Sequence, residues 1–159
     1  SARGVAALRA EIADADIIIE AARPRALLQM GIDAEAEVSS RPGLIWLTIT
    51  GHGVRGDAAN WVGFGDDAGV AGGLTAALRQ DTGKTGFVGD AIADPLTGIF
   101  AARTAWDAWC AGTAGRFVFS MSAIVAQALS DETAHDPAGL EAQLLHWSTA
   151  VGTPFSTIG

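Results

Sequence analysis

The chain has 159 residues, 49% of them hydrophobic and 18% charged, and a formal net charge of -8. That size and balance suit one globular domain and exclude a disordered chain. An acidic chain whose only lysine is Lys84 gains nothing from counterion release, so nucleic acid is excluded as an expected partner.

Val5, Leu8 and Ile12 recur at helical spacing and predict an amphipathic helix over 3–13. Asp16–Glu20 (DIIIE) is short, β-branched and bounded by charge, which predicts a buried strand. Pro24 starts a short helix through Met30, and Gly31 closes it. Asp33 caps a second short helix, AEAEVSS, and Arg41-Pro42-Gly43 breaks the chain. Leu44–Thr50 (LIWLTIT) is a second buried strand. Helix–strand–helix–strand order predicts an α/β fold, a Rossmann-like parallel sheet with crossover helices.

The loop after the second strand, GHGVRGD, holds three glycines. It leaves the carboxyl end of a strand, where open α/β sheets place their ligands. Phe64 to Leu78 is glycine-rich and weakly helical, and 79–89 reads as a polar loop. Asp94 to Ala111 is the strongest helical pattern in the chain. Asp94-Pro95 reads as its start, with Asp capping free N–H groups and Pro in the first helical position. A carboxylate at the positive end of a helix suits a capping residue, and it suits an acyl-carrying nucleophile whose reaction develops negative charge nearby. The two roles are compatible. Arg116–Met121 (RFVFSM) predicts a further strand. Ser122–Ser130 and Pro137–Val151 predict helices, the latter with Leu140, Leu144 and Trp147 on one face.

Several residues have plain structural readings. Cys110, alone in the sequence, excludes an intramolecular disulfide and a CxxC metal site, and reads as a buried inert thiol. His52, His135 and His146 lack metal-ligand spacing, so no metal site is expected. Asp90 and the pair Asp66-Asp67 read as solvated loop acids, and Trp106 and Trp109 as core or interface packing residues. The longest apolar run, Phe117–Leu129, is broken by Ser120, Ser122 and Gln127, and falls short of the ~20 residues a membrane span needs. A cytoplasmic protein with no membrane partner is the expectation.

Four blocks in series resemble one family. ADIIIEAARPRALLQMGID (15–33) is similar to the pattern ADVVVENFRPGVLERLGLD, and LIWLTITGHGVRGDAANWVGFGDD (44–67) to LVYVSITGFGQTGPYADRPGYDL. VGDAIADPLTGIFAA (88–102) is similar to a segment AD-x-x-TG followed by an apolar helix, and GTAGRFVFSMS (112–122) to the strand TGKGQxVDVSM. The chain thus resembles the family III CoA-transferases, which include formyl-CoA transferase, carnitine CoA-transferase and α-methylacyl-CoA racemase. The resemblance implies an incomplete large domain of that fold over 1–159, a piece of a longer polypeptide lacking the family's small domain. It implies Asp94 as the catalytic residue, taking an acyl group from a thioester and then the CoA. It places Ala22, Arg23 and Pro24 beside the CoA adenosine or diphosphate, and the loop from Thr50 to Gly56 along the same cleft, with Thr50, Gly51, His52 and Gly53 as its binding residues. Coenzyme A enters as substrate, not as a resident cofactor, and a small carboxylic acid is the second substrate. The family's intertwined homodimers imply a second copy, or the rest of the polypeptide, as partner. The chain departs from the pattern at Ala21-Ala22 (Asn-Phe in the family), at Asp57 (Pro) and at Gly65 (commonly Asp). It also has Phe64 where the racemase branch carries His, and two-base racemisation needs an acid/base on each face of the α-carbon.

Overall fold

A computed structural model of the chain describes residues 1–23 and 25–150. Helix α1 (Ala2–Asp14) begins at Ser1, whose hydroxyl accepts from the Gly4 N–H at 3.3 Å. It leads into β1 (Ile17–Glu20). The short helices α2 (Ala26–Gln29) and α3 (Ala34–Ser40) follow, and Asp33 caps α3 as expected, accepting from Glu35 N–H at 3.0 Å. The Arg41-Pro42-Gly43 break brings the Arg41 guanidinium to the carbonyls of Ile12 and Ala15 at the end of α1, where a cation complements the negative end of the helix. Strand β2 (Ile45–Thr50) comes next. After a 3-10 turn at Asp57–Asn60 come α4 (Gly65–Ala71), α5 (Leu74–Thr82), α6 (Ala93–Ala111), β3 (Gly115–Ser120), α7 (Met121–His135) and α8 (Pro137–Ala150).

The three strands form one parallel sheet in the order β1-β2-β3, the α/β architecture the sequence predicts. Ile17 pairs with Ile45, and Ile45 with Gly115. Central β2 carries Ile45, Trp46 and Leu47, each no more than 1% exposed. β1 corrects the expectation of a buried strand. Among the described residues it pairs on one side only, and Ile19 is 68% exposed. A run of β-branched residues encodes a strand but not how many neighbours it has.

Paired residues share a sheet face, so the two faces are easily read. On one, Trp46 packs with Ile12, Ile32, Ala34 and Leu44 from α1, α3 and their flanks. On the other, Ile45 and Leu47 pack under Ala101 and Ala108 of α6. A third cluster joins Ala68 of α4, Ala93 of α6, and Met121 and Val125 of α7.

Four further expectations change. The polar loop of 79–89 is helical at its start, because Leu78 is fully buried and Thr82 donates back to the Leu78 carbonyl at 2.6 Å before Gly83 ends α5 at φ +71°. Helix α7 extends to His135, beyond the predicted Ser130, and Ser120 caps it by accepting from Ala123 N–H at 3.4 Å. The buried stripe of α6 is Ala93, Thr97, Ala101 and Ala108, so Trp106 and Trp109 are exposed on its outer side and take no part in the core. Cys110 is also exposed, not buried. The predicted end of the last helix at Val151 lies outside the described residues. Among the described residues no helix is long and apolar enough to cross a membrane.

Candidate active site

Helix α6 starts one residue before Asp94. Ile92 occupies the cap position with no side-chain cap, so Asp94 is the second helical residue and Pro95 the third. The sequence expectation of an Asp cap is therefore corrected. Asp94 N–H donates to Ala91 O at 2.9 Å, and the Asp94 carboxylate stays exposed in the first turn. A first-turn carboxylate still meets the positive end of a 19-residue helix.

That carboxylate lines a cavity of about 360 Å³ at the carboxyl ends of β1 and β2. From beyond β1 the cavity receives Ala22 and Arg23; from the end of β2 and its loop it receives Thr50, Gly51, His52 and Gly53. Asp94, Ala22, Arg23, Thr50, Gly51, His52 and Gly53 therefore line one cavity, whereas Val54 and Arg55 of the same implicated loop line another; Pro24 lies outside the described residues. Asp90 is exposed and lines no part of it.

Glycine makes the loop possible. A Cβ on Gly51 would lie 2.9 Å from the Gly63 Cα, and one on Gly63 would lie 2.8 Å from the His52 Nε2. Main chain thus packs on main chain, and the loop folds back across the mouth of β2. Gly53, at φ +100°, takes a conformation L side chains avoid, and its N–H donates to Thr50 Oγ1 at 2.8 Å. Thr50 Oγ1 in turn donates to Phe119 O at 3.1 Å. His52 Nδ1 lies 3.3 Å from Ser122 Oγ, and its ring meets Trp61 edge-on at 5.7 Å.

Trp61, Val62 and Phe64 complete the outer wall and are 64%, 54% and 69% exposed, while Met121 closes the inner side. Sequence reasoning assigned Trp61, Val62, Gly63 and Met121 no place in the site. The signal available was the second glycine, Gly63, whose meaning appears only when it meets Gly51. The pair Asp66-Asp67 has work within the protein. Asp67 accepts from Phe64 N–H at 3.2 Å, closing the start of α4, and Asp66 Oδ1 accepts from Ala91 N–H at 2.9 Å.

A larger cavity, about 600 Å³, opens on the other sheet face above Glu20, Arg116 and Val118. Its floor is a polar chain. Glu20 Oε2 accepts from Trp46 Nε1–H at 2.9 Å and Thr48 Oγ1–H at 3.2 Å, and Thr48 Oγ1 accepts from Arg116 Nε–H at 3.0 Å. Arg116 also pairs with Glu35 at 3.2 Å. These groups satisfy one another, and Asp94 is not among them. The smaller cavity is the candidate site because the Asp94 carboxylate lines it together with the segments after β1 and β2.

Comparison with known proteins bears on family and fold. The profile of CoA-transferase family III matches residues 1–115. Succinate–glutarate CoA-transferase from Agrobacterium fabrum is 31% identical over 98 residues, covering 62% of this chain and 24% of that protein. Among solved structures, a CaiB/BaiF family protein from Brucella suis aligns with a TM-score of 0.68 at 24% identity, covering 87% of this chain and 38% of that one. Rv3272 from Mycobacterium tuberculosis, in its orthorhombic form, aligns with a TM-score of 0.72 at 18% identity over 87% of this chain and 40% of that one. At such identities the structures speak for the fold alone. The chain spans about a quarter of the curated relative and about two fifths of these structures. The profile match covers well over half of the sequence, and on that ground the chain belongs to CoA-transferase family III.

Proposed function

We propose that this chain carries the acyl-accepting half-site of a CoA-transferase, with Asp94 as nucleophile. The observation that supports it most is the convergence of Asp94 with the segments after β1 and β2 on one cavity. A carboxylate needs no separate base, because Asp is ionised near neutral pH. Asp94 attacks the thioester carbonyl, the C–S bond breaks, and CoA leaves as thiolate from an aspartyl–acyl anhydride. The thiolate attacks the aspartyl carbonyl of that anhydride, expelling the first carboxylate and leaving an aspartyl–CoA thioester. The acceptor carboxylate attacks that thioester and forms a new anhydride with release of thiolate. Thiolate attack on the new acyl carbonyl then gives the product thioester and frees Asp94.

Each tetrahedral step needs N–H donors aimed at the oxyanion. Two nearby donors are already engaged: Gly53 N–H on Thr50 and Asp94 N–H on Ala91. Pro95 supplies none. The main chain of Gly51, His52 and Gly63 is the remaining source along this wall. Arg23 is suited to a phosphate or carboxylate group of the substrate. Coenzyme A and a small carboxylic acid are the substrates in this reading, a second copy or further polypeptide completes the site, and the protein works in the cytoplasm.

Hydroxylamine added to the full-length protein with acyl-CoA tests the reading. The expected result is a hydroxamate on Asp94 by mass spectrometry, lost in Asp94→Asn. Trapping that persists in Asp94→Asn, or none in the parent, overturns it. Phe64 at the cavity rim, where the racemase branch carries His, has no proton to exchange, so the same incubation in deuterium oxide is expected to leave the α-carbon unlabelled.

A further inference from the structure

Asp94 owes its position to a turn that the sequence alone does not explain. Ala91 sits at φ +49°, and among the described residues it is the one non-glycine with positive φ. An L side chain is disfavoured there, so something must hold it. Ala91 N–H donates to Asp66 Oδ1 at 2.9 Å, and Ala91 O accepts from Asp94 N–H at 2.9 Å. One residue therefore links the Asp66 side chain to the Asp94 main chain through two hydrogen bonds. The contact continues at the neighbouring position. A Cβ on Gly65 would stand 2.6 Å from the Ala91 carbonyl oxygen and would overlap Asp94 Oδ2. No side chain caps α6 at Ile92, so local capping does not set where this helix begins. Asp67 closes its own helix at Phe64, whereas Asp66 reaches 25 residues along the chain.

We infer that Asp66 is a positioning residue for Asp94, acting through Ala91, and this rests on Asp94 being the acyl acceptor. Its part is to fix the direction from which the carboxylate meets the thioester carbonyl. A displacement of about 1 Å at such a group costs on the order of 100-fold in rate.

Two substitutions in the full-length protein separate this role from a structural one. Asp66→Asn keeps an acceptor at the same reach and loses the charge in the first turn of α4. Asp66→Glu keeps the charge and moves the acceptor by one methylene. If the bond to Ala91 matters, Asp66→Asn traps Asp94 hydroxamate near the parent rate. Asp66→Glu then slows trapping at saturating acyl-CoA by roughly 10- to 100-fold with KM little changed, and it unfolds at the parent temperature. If the charge at the start of α4 matters instead, the order reverses. The reversed order, equal losses, or parent rates in both variants overturn the inference while leaving the acyl-acceptor reading intact. A parent that forms no hydroxamate overturns that reading, and the positioning role with it.

Discussion

The two faces of the sheet solve the same packing problem with opposite materials. On one, Trp46 fills the space beneath α1 and α3, and its indole N–H finds a buried carboxylate at Glu20. On the other, Ala101 and Ala108 let α6 lie close over Ile45 and Leu47. Bulk anchors the first face. Smallness sets the distance of the second, and with it where the start of α6 falls. A face that sets the position of a helix by close approach tolerates a gain of volume poorly; a face that only fills space tolerates a loss poorly.

Substitutions can break that contrast. Trp46→Ala is expected to have the largest effect, a loss of about 3–5 kcal/mol in denaturant unfolding, since it opens a cavity and takes one of the two donors, Trp46 and Thr48, from the Glu20 carboxylate. Ala101→Leu is expected to cost about 1–3 kcal/mol in the same measurement. It should also slow hydroxamate formation on Asp94, because the helix must lift. A stability loss with unchanged trapping would show that the two ends of α6 are independent. Asp33→Ala, which removes the cap of α3 on the bulky face, is expected to cost about 1 kcal/mol and to leave trapping alone. Slower trapping in that variant would mean the faces communicate.

Much of the sheet was legible in the sequence. Leu44–Thr50 reads as a central strand because its apolar run is unbroken, and Ile45, Trp46 and Leu47 are indeed buried. The edge position of β1 was not legible, since an apolar run does not report the absence of a neighbour. Asp94-Pro95 marked the start of α6 to within one residue. The cap assignment failed because a first-turn Asp and a capping Asp leave the same trace in a sequence. Cys110 misled because apolar residues stand on the outer side of α6 beside the exposed Arg103–Asp107 pair, so apolar character did not mark the inner face; small size marked the inner residues instead. Leu78, fixed by tertiary burial, extended α5 into a stretch whose composition says loop. Of the site, the resemblance placed the segments after β1 and β2 along one cleft, but the main-chain contacts that shape its wall were not legible. Ala91 carries no sign of a left-handed backbone, and Gly51 gives no hint of Gly63 until the loop is folded.

The contact between Gly51 and Gly63 has a consequence for how this cavity can diversify. Where two stretches of main chain touch, any added side chain pries the wall apart, so this part of the lining is fixed in shape whatever the rest of the sequence does. Variation is left to Trp61, Val62 and Phe64, which are exposed on that wall, Trp61 with one edge against His52. In the reading offered here, a new acyl group is accommodated by retailoring those three positions on an unchanging frame.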